Sequence, residues 1–392
     1  MREVVIVEAV RSPIGRRNGG RTTGPPAELL AEIQSEAISR SGIDPTEVGQ
    51  VITGGVSHVG EQSYNIGRTA WLSAGLPMEV AATTVDTQCG SSQQATNLAT
   101  ALVQSGVVDV AMACGVENMS RIPIGVNSSK KLGLGVPIPK TYFAEYEFTS
   151  QFEAAERIAD KWNITRTDAD EFGFRSQQLA AQAWAEDRFG TQVHPIDAPD
   201  VDDDGNPTGT THRVEKDEGL RDTTLEGLAA LKPVAREDGV HTAGSSSQIS
   251  DGAAAVLMMT PEKAAELGLT PLAKVVDTCL VGVDPVLMLT GPIDATRLLL
   301  ERTGREMSDV DLVEINEAFA SVVMAWQREL GADMDIVNPN GGAIALGHPL
   351  GGTGAFLMTK AVHELHRADK TTALITMCCG GGLGTGTLID RV

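Results

Sequence analysis

The sequence predicts an α/β protein with a parallel or mixed sheet covered on both faces, plus an inserted segment. Three observations carry this reading. Short apolar runs alternate with helical patterns in the first and last thirds of the chain, the rhythm of βαβ units. Between about residues 120 and 250 that rhythm breaks. Glycine is 42 of 392 residues, about 11% against a usual ~7%, and the excess gathers in the last third, in loops that bring backbone close to something.

Residues 3–10 read as a first strand, and the spacing of AELLAEIQSEAISRS (27–41) predicts a helix ending at Gly42. Val51–Gly54 and Ala81–Val85 are short strands. A helix is expected over about 91–104, stopping at Gly106, followed by a buried strand, Val107–Cys114. Residues 121–150 carry Gly, Pro, Lys and aromatics with little periodicity. Helices follow at 151–161 and 167–188, then a turn-rich surface hairpin, Asp197–Gly209. From Asp251 the alternation returns: strand AAAVLMM, helix 261–268, strand 272–283, helix 293–304, strand 311–315, helix 317–330, helix 352–366, strand 373–378 and strand 386–391.

The two ends resemble each other. A small-residue turn carrying Cys89 precedes a helix and an apolar strand ending at Cys114; a Gly-rich turn carrying His348 precedes a helix and a strand, TALITM, ending at Cys378. Duplication would bring both turns to one seam. The alternative is that any two α/β units look alike.

Composition narrows the function. Formal charge is −21, a poor match to nucleic acid or an anionic membrane. An anionic ligand would need local cations or helix N-termini. Five cysteines in a chain this long make no disulfide framework and fit a reducing compartment. Glu3 and Glu8 interrupt any signal-peptide core, and no run of about 18 apolar residues exists. The C-terminal Ile-Asp-Arg-Val is no address tag. A soluble cytoplasmic protein is expected.

Four places carry candidate chemistry. Cys89, in Asp86-Thr-Gln-Cys-Gly-Ser-Ser, sits at a strand-to-helix elbow where helix amides lower a thiol pKa and hold an oxyanion, with Ser91 and Ser92 as capping residues. A small core cysteine is the alternative. His348, in Asn340-Gly-Gly-Ala-Ile-Ala-Leu-Gly-His-Pro-Leu-Gly-Gly, lies in a loop that is neither a Walker loop nor a dinucleotide fingerprint. Cys378 and Cys379 close a strand ahead of Gly380, whose uncovered amide suits an oxyanion site; a vicinal disulfide or metal pair is the rival. Asn316, in Asn-Glu-Ala-Phe-Ala, is a functional amide or simply a helix N-cap. Two patterns are set aside. Asp200-Val-Asp-Asp-Asp-Gly begins like a calcium loop but has Thr211 where a bidentate Glu is needed. His363 and His366 share a helix face with no third ligand, which suits solvated side chains.

Together, Cys89-Gly-Ser, Asn316-Glu-Ala-Phe-Ala, Gly347-His-Pro and Cys378-Cys-Gly-Gly-Gly resemble the thiolase family over essentially the whole chain. The resemblance implies a thiolase fold: two duplicated βαβαβαββ halves in a five-layer α-β-α-β-α arrangement with an inserted lid domain. The halves would be 1–120, completed by 248–270, and 271–392, with the insert at 121–247. It also implies acyl-CoA and CoA as substrates, no separate cofactor, and a homodimer or homotetramer. In the family's mechanism Cys89 attacks a thioester carbonyl, His348 takes its proton, and Cys378 moves a proton at the α-carbon. His348 with a water on Asn316 forms one oxyanion site; the amides of Cys89 and Gly380 form the other. Cys378 would need a pKa drawn toward neutrality. Ser247 matches a pantetheine-contacting serine, and Arg221 resembles an arginine near the adenine end.

One departure bears on substrate. Short-chain acetoacetyl thiolases carry His-Met before the lid helix; here the stretch is Ser150-Gln151-Phe152. With Gln88 beside the nucleophile, this is more similar to bacterial steroid side-chain-degrading thiolases. The expected activity is reversible thiolysis of a bulky or longer 3-ketoacyl-CoA, with an acetoacetyl-CoA enzyme as the alternative. A decarboxylating condensing enzyme is disfavoured by the second cysteine. A non-catalytic acyl-CoA or lipid-binding protein is disfavoured by the intact Cys89, His348 and Cys378.

Overall fold

The computed structural model describes residues 1–17, 19–20, 24–202 and 207–392. Its strands are β1 (Val5–Arg11), β2 (Gly15–Arg16), β3 (Gln50–Gly54), β4 (Ala81–Val85), β5 (Val110–Asn118), β6 (Ile196–Val201), β7 (Pro207–Val214), β8 (Ser250–Met259), β9 (Ala273–Gly282), β10 (Leu312–Ile315), β11 (Thr372–Cys379) and β12 (Leu383–Arg391). The α-helices are α1 (Pro26–Ser41), α2 (Ile66–Ser73), α3 (Ser91–Ser105), α4 (Tyr142–Glu145), α5 (Gln151–Lys161), α6 (Arg166–Ala185), α7 (Leu225–Ala229), α8 (Pro261–Glu266), α9 (Gly291–Thr303), α10 (Ala320–Leu330), α11 (Ala343–Leu346) and α12 (Thr353–Arg367).

The main sheet runs β4-β3-β5-β8-β1-β9-β12-β11-β10, with β2 added to β8. β3 is parallel to β4 and β5, and β8 is antiparallel to β5 and β1. The second half repeats this: β10 parallel to β11, then β11, β12 and β9 antiparallel in turn. Within the sheet the halves join where β1 meets β9, Val5 pairing with Lys274 and Ile6 with Ala273. Strands β5, β8 and β11 are buried along their whole length, which is why the stretches Val110–Val116, Gly252–Met259 and Ala373–Cys379 are apolar or small rather than alternating.

The apolar faces make five layers. Leu30, Ile33 and Trp71 of α1 and α2 pack on Val51 and Met112, covering one outer face. Leu299, Val323 and Trp326 of α9 and α10 pack on Val313 and Leu374, covering the other. Between the two halves, Ala95 and Ala99 of α3 and Phe356 to Met358 of α12 pack with Ala111, Val256 and Ile375. Small residues let the two central helices touch: a Cβ on Gly354 would lie 2.1 Å from Gln93 N. The described residues contain no helix long and apolar enough to cross a membrane.

The duplication is present in a register other than the one read from the motifs. One offset, 262 residues, carries Ser91–Ser105 onto Thr353–Arg367 and Val110 onto Thr372. It therefore sets Cys114 against Thr376, not Cys378, and Cys89 against Gly351, not His348. The site residues come from non-equivalent positions of the two halves.

Several boundaries differ from expectation. The strand expected at Val107–Cys114 runs from Val110 to Asn118, because Gly106 ends α3 in the left-handed region (φ +79°) and Val107 starts the turn exposed. Helix α10 starts at Ala320 with Phe319 as N-cap, so Asn316 is not a cap. Neither are Ser91 and Ser92: Gly90 is the N-cap of α3, and the two hydroxyls accept N–H bonds from Thr87 and Ala355. His363 is not solvated; it bonds the Ala9 carbonyl and Thr191, and burial pushes it down to about 4. The hairpin expected at Asp197–Gly209 is β6–β7, while its tip, residues 203–206, with half of the calcium-like stretch, lies outside the described residues.

Candidate active site

Cys89, Asn316, His348, Cys378 and Gly380 lie at or just beyond the ends of strands and helices. After β4 the chain turns sharply into α3, and Gln88 takes φ +51°, a left-handed conformation that is strained for a non-glycine residue. The turn is over-determined: Gly90 N–H bonds Thr87 O (3.1 Å), Ser91 N–H bonds Gln88 O (3.0 Å), and Ser91 Oγ donates to Gln88 O (2.6 Å). Cys89 sits on this elbow, 4% exposed. Its sulfur is reached by two backbone N–H groups, those of Gly380 and of Cys89 itself.

Strand β11 brings Cys378 and Cys379 to the same place. The charge of a Cys89 thiolate acts on both. All five cysteines are free, and the described residues contain no group of three or more His, Cys, Asp or Glu side chains placed to hold a metal ion. Cys379 is spacing rather than chemistry, since its sulfur lies 2.5 Å from where a Cβ on Gly90 would sit. Cys378 faces an apolar cluster with Met288, Leu289, Ala318 and Phe319.

His348 precedes α12, whose first turn packs on that of α3: Ala355 N–H bonds Ser92 Oγ at 2.9 Å. Its bonding defines its tautomer. Thr353 Oγ1 gives its single proton to Pro349 O (2.9 Å) and so accepts from His348 Nδ1–H (2.6 Å). Nε2 then carries the lone pair, and Asn316 Nδ2 donates to it at 3.3 Å. Asn316 Oδ1 is buried without a partner among the described residues. Ser250 Oγ fixes the His348 backbone N–H at 2.9 Å.

The electrostatics overturn two expectations. Burial pushes the Cys89 thiol up to about 11, and the charges of Glu117 and Asp86 add to it; the N–H groups of Gly380 and Cys89 offset only part. Burial raises Cys378 well above an ordinary thiol, where a value drawn toward neutrality was expected. Burial also pushes His348 down to about 4. The resting site therefore holds two neutral thiols and a neutral imidazole, and desolvation dominates the helix-terminus effect.

Ser247 and Arg221 meet at a separate cavity of about 290 Å³, lined also by Arg16, Arg17 and Gln248. Arg221 is oriented by Gln248 Oε1 (3.0 Å) and the Ala243 carbonyl. In a chain of charge −21, three arginines against the single carboxylate of Glu218 around one cavity leave it locally cationic.

Reading the sequence missed Glu117. Its buried carboxylate accepts N–H bonds from Val56, Ser57 and Gly351 and from Gln62 Nε2, gathering two loops of the site. A charged residue inside an otherwise uncharged buried strand was the available signal. Thr353 was missed as well, and Glu317, a helix-dipole residue on the sequence reading, instead accepts from Ser176 Oγ, Asn338 Nδ2 and Ile344 N, bracing the glycine loop.

Comparison with known proteins decides the family. Residues 4–262 match the model for the thiolase N-terminal domain, and residues 269–391 match that for the thiolase C-terminal domain.

The chain belongs to the thiolase family.

It is 43% identical to the steroid 3-ketoacyl-CoA thiolase FadA6 of Mycobacterium tuberculosis, covering 100% of this chain and 95% of that protein. It is 40% identical to an acetyl-CoA acetyltransferase of Syntrophomonas wolfei, covering 100% of both. The crystal structure of the Bacillus anthracis acetyl-CoA acetyltransferase superposes with a TM-score of 0.91 at 38% identity, covering 100% of this chain and 99% of that one. This thiolase is thus an enzyme of the acyltransferase class, built on the fold described above.

Proposed function

We propose that the chain cleaves 3-ketoacyl-CoA by thiolysis, reversibly, through an acyl-cysteine on Cys89. One observation carries the reading: two N–H groups converge on the Cys89 sulfur while Cys378 lies within its electrostatic reach. The Cys89 sulfur attacks the 3-keto carbon as its proton moves to His348 Nε2, the lone-pair nitrogen. The Gly380 and Cys89 amides hold the resulting oxyanion, at roughly 3–4 kcal/mol of barrier lowering per donor. The bond between the carbonyl carbon and the α-carbon breaks, and Cys378 supplies a proton to the departing carbanion, releasing acetyl-CoA. CoA thiol then attacks the acyl-cysteine, its proton passing to the Cys378 thiolate; the sulfur–acyl bond to Cys89 breaks, the shortened acyl-CoA leaves, and His348 returns its proton to the Cys89 sulfur.

The thioester enolate needs a second donor set. His348 Nε2, once protonated, donates. Asn316 Oδ1 accepts only, so a water held there, not the amide oxygen itself, meets the substrate oxygen. CoA would bind with its pantetheine past Ser247 and its phosphates among Arg16, Arg17 and Arg221. The cycle uses CoA as a substrate and needs no separate cofactor.

Finer readings rest on local features. Ser150-Gln151-Phe152 and Gln88, with the Phe152 ring edge-on to Phe319 at 5.4 Å, favour a bulky or longer acyl group over acetoacetyl-CoA; the name of the Mycobacterium relative points the same way. A homodimer, or a tetramer built from two, is supported by β4, whose outer edge is unpaired among the described residues, beside Tyr64 (96% exposed) and Met78 (71%). Five free cysteines support a cytoplasmic location. The test is intact mass after acyl-CoA exposure together with thiolysis of acetoacetyl-CoA and longer 3-ketoacyl-CoA. An adduct on Cys89 and loss of turnover in Cys89→Ala are expected. An adduct elsewhere, or unchanged turnover in that variant, overturns the mechanism.

A further inference from the structure

Gly380 is a glycine for a different reason than its neighbours. Gly381 and Gly382 take φ +81°, where a side chain is strained; Gly380 does not lie in that region. What a side chain on Gly380 would meet instead is a pair of amides: Gln151 Nε2 at 3.2 Å and Gln88 Oε1 at 3.3 Å from its Cβ. The residue whose N–H reaches the Cys89 sulfur thus sits in a narrow gap between two glutamine side chains, too tight for a Cβ to enter without one of them giving, one from the elbow and one from the first turn of α5.

The two amides present different faces. Gln88 is anchored through nitrogen: its backbone N–H and Nε2 both reach Asp86 Oδ1, at 2.7 and 3.3 Å. Its carbonyl oxygen is therefore the end turned toward the gap. Gln151 makes no side-chain hydrogen bond among the described residues and brings its NH2 to the same gap, a donor facing an acceptor across it. A plain hydrocarbon passing there would desolvate both without replacing their bonds with water, a penalty for each. Asp86, which anchors Gln88 through its backbone N–H and Nε2, sets a carboxylate beside the two amides, and its charge with that of Glu117 adds to burial at Cys89, which disfavours a carboxylate in the acyl chain.

We propose that Gln88 and Gln151 are specificity-determining residues that select 3-ketoacyl-CoA substrates whose acyl group carries a neutral hydrogen-bonding oxygen, a hydroxyl or a further ketone, within a few atoms of the reacting carbonyl. This rests on the acyl-Cys89 reading above and names its substrate class. A hydroxyl donates to Gln88 Oε1 and accepts from Gln151 Nε2; a ketone uses the Gln151 donor alone. Sites built to hydrogen-bond a substrate oxygen reject the analogue lacking it far more strongly than apolar pockets reject an extra methylene.

The experiment compares kcat/KM for three 3-ketoacyl-CoA esters of equal chain length: all-hydrocarbon, hydroxylated near the acyl carbonyl, and carboxylate-ended. The wild type is expected to favour the hydroxylated ester over the hydrocarbon by roughly tenfold or more. Gln151→Leu should bring the two within about twofold, chiefly by lowering kcat/KM for the hydroxylated ester. Gln88→Met, should the elbow tolerate it, is expected to act in the same direction. A wild type that treats hydroxylated and hydrocarbon esters alike, that prefers the carboxylate-ended one, or whose preference survives Gln151→Leu, overturns the proposal while leaving thiolysis intact. Absence of turnover on all three esters together with absence of a Cys89 adduct removes the underlying reading itself.

Discussion

Glu117, near the end of β5, accepts the backbone N–H of Gly351 at 2.9 Å across 234 residues of chain. The bond ties the loop that carries His348 to the first half of the fold. The same carboxylate holds Val56 N, Ser57 N and Gln62 Nε2, so four donors share two oxygens. Glu117→Gln places an NH2 group among them. The expected result is a loss of about 2–3 kcal/mol in chemical denaturation and a fall in kcat larger than any rise in KM, since the loop displaced is the one bearing the base. Unchanged stability would mean that these loops hold themselves.

Gly90 and Cys379 make a second, steric tie. A Cβ on Gly90 would sit 2.5 Å from Cys379 Sγ and 2.8 Å from Thr385 Cγ2. Gly90→Ala should cost about 1–3 kcal/mol by overpacking. Adding Cys379→Ala should recover part of that loss, giving a favourable coupling in the double-mutant cycle. Simple additivity would show that the strain is relieved elsewhere.

The buried pair Glu314–Lys360 (2.7 Å) supports the glycine loop from below, because Lys360 Nζ also donates to Gly341 O at 2.7 Å. Burial pushes Glu314 up to about 7 against the pull of Lys360. Lys360→Met should destabilise by about 3–5 kcal/mol, and Lys360→Met with Glu314→Leu by much less, since the second change removes the uncompensated carboxyl. Urea midpoints at pH 7.5 for both variants decide it; equal midpoints would place the loss in the Gly341 bond instead.

His348 gives a pH-dependent stability with a definite sign. Its imidazole is held down to about 4 in the folded protein, against ~6.5 in an unfolded chain. Between those values the unfolded state binds the extra proton, so stability falls as pH drops from about 6.5 toward 4. His348→Gln lacks this penalty. Relative to wild type it should gain about 2 kcal/mol on going from pH 7.5 to pH 5, read from paired denaturation curves. A constant difference between the two proteins would mean that the folded imidazole titrates normally.

Much of the fold was legible because β5, β8 and β11 are buried on both faces and are apolar or small over most of their length, while α1 and α9 carry Pro in their first turn, α5 is capped by Ser150, and their patterns stop where the helices end. The candidate site was legible where a residue type is rare in its setting: a histidine among glycines, two adjacent cysteines ahead of three more glycines. Glu117 stood out only as a charge in a buried strand and Thr353 not at all; their partners could not be read, because nothing in the neighbouring sequence marks a hydrogen bond to Gly351 or to His348.

By itself the sequence determined the alternation of elements, the absence of a disulfide framework among its cysteines and the four motifs that carry the chemistry. Only the tertiary structure decided the register of the duplication, the tautomer of His348 and the charge state of the site. Those depend on burial and on bonds between residues hundreds of positions apart. A thiol at a helix N-terminus looks acidic in isolation; enclosed between two packed halves it is weakly acidic, because removing water penalises the thiolate more than two amides stabilise it.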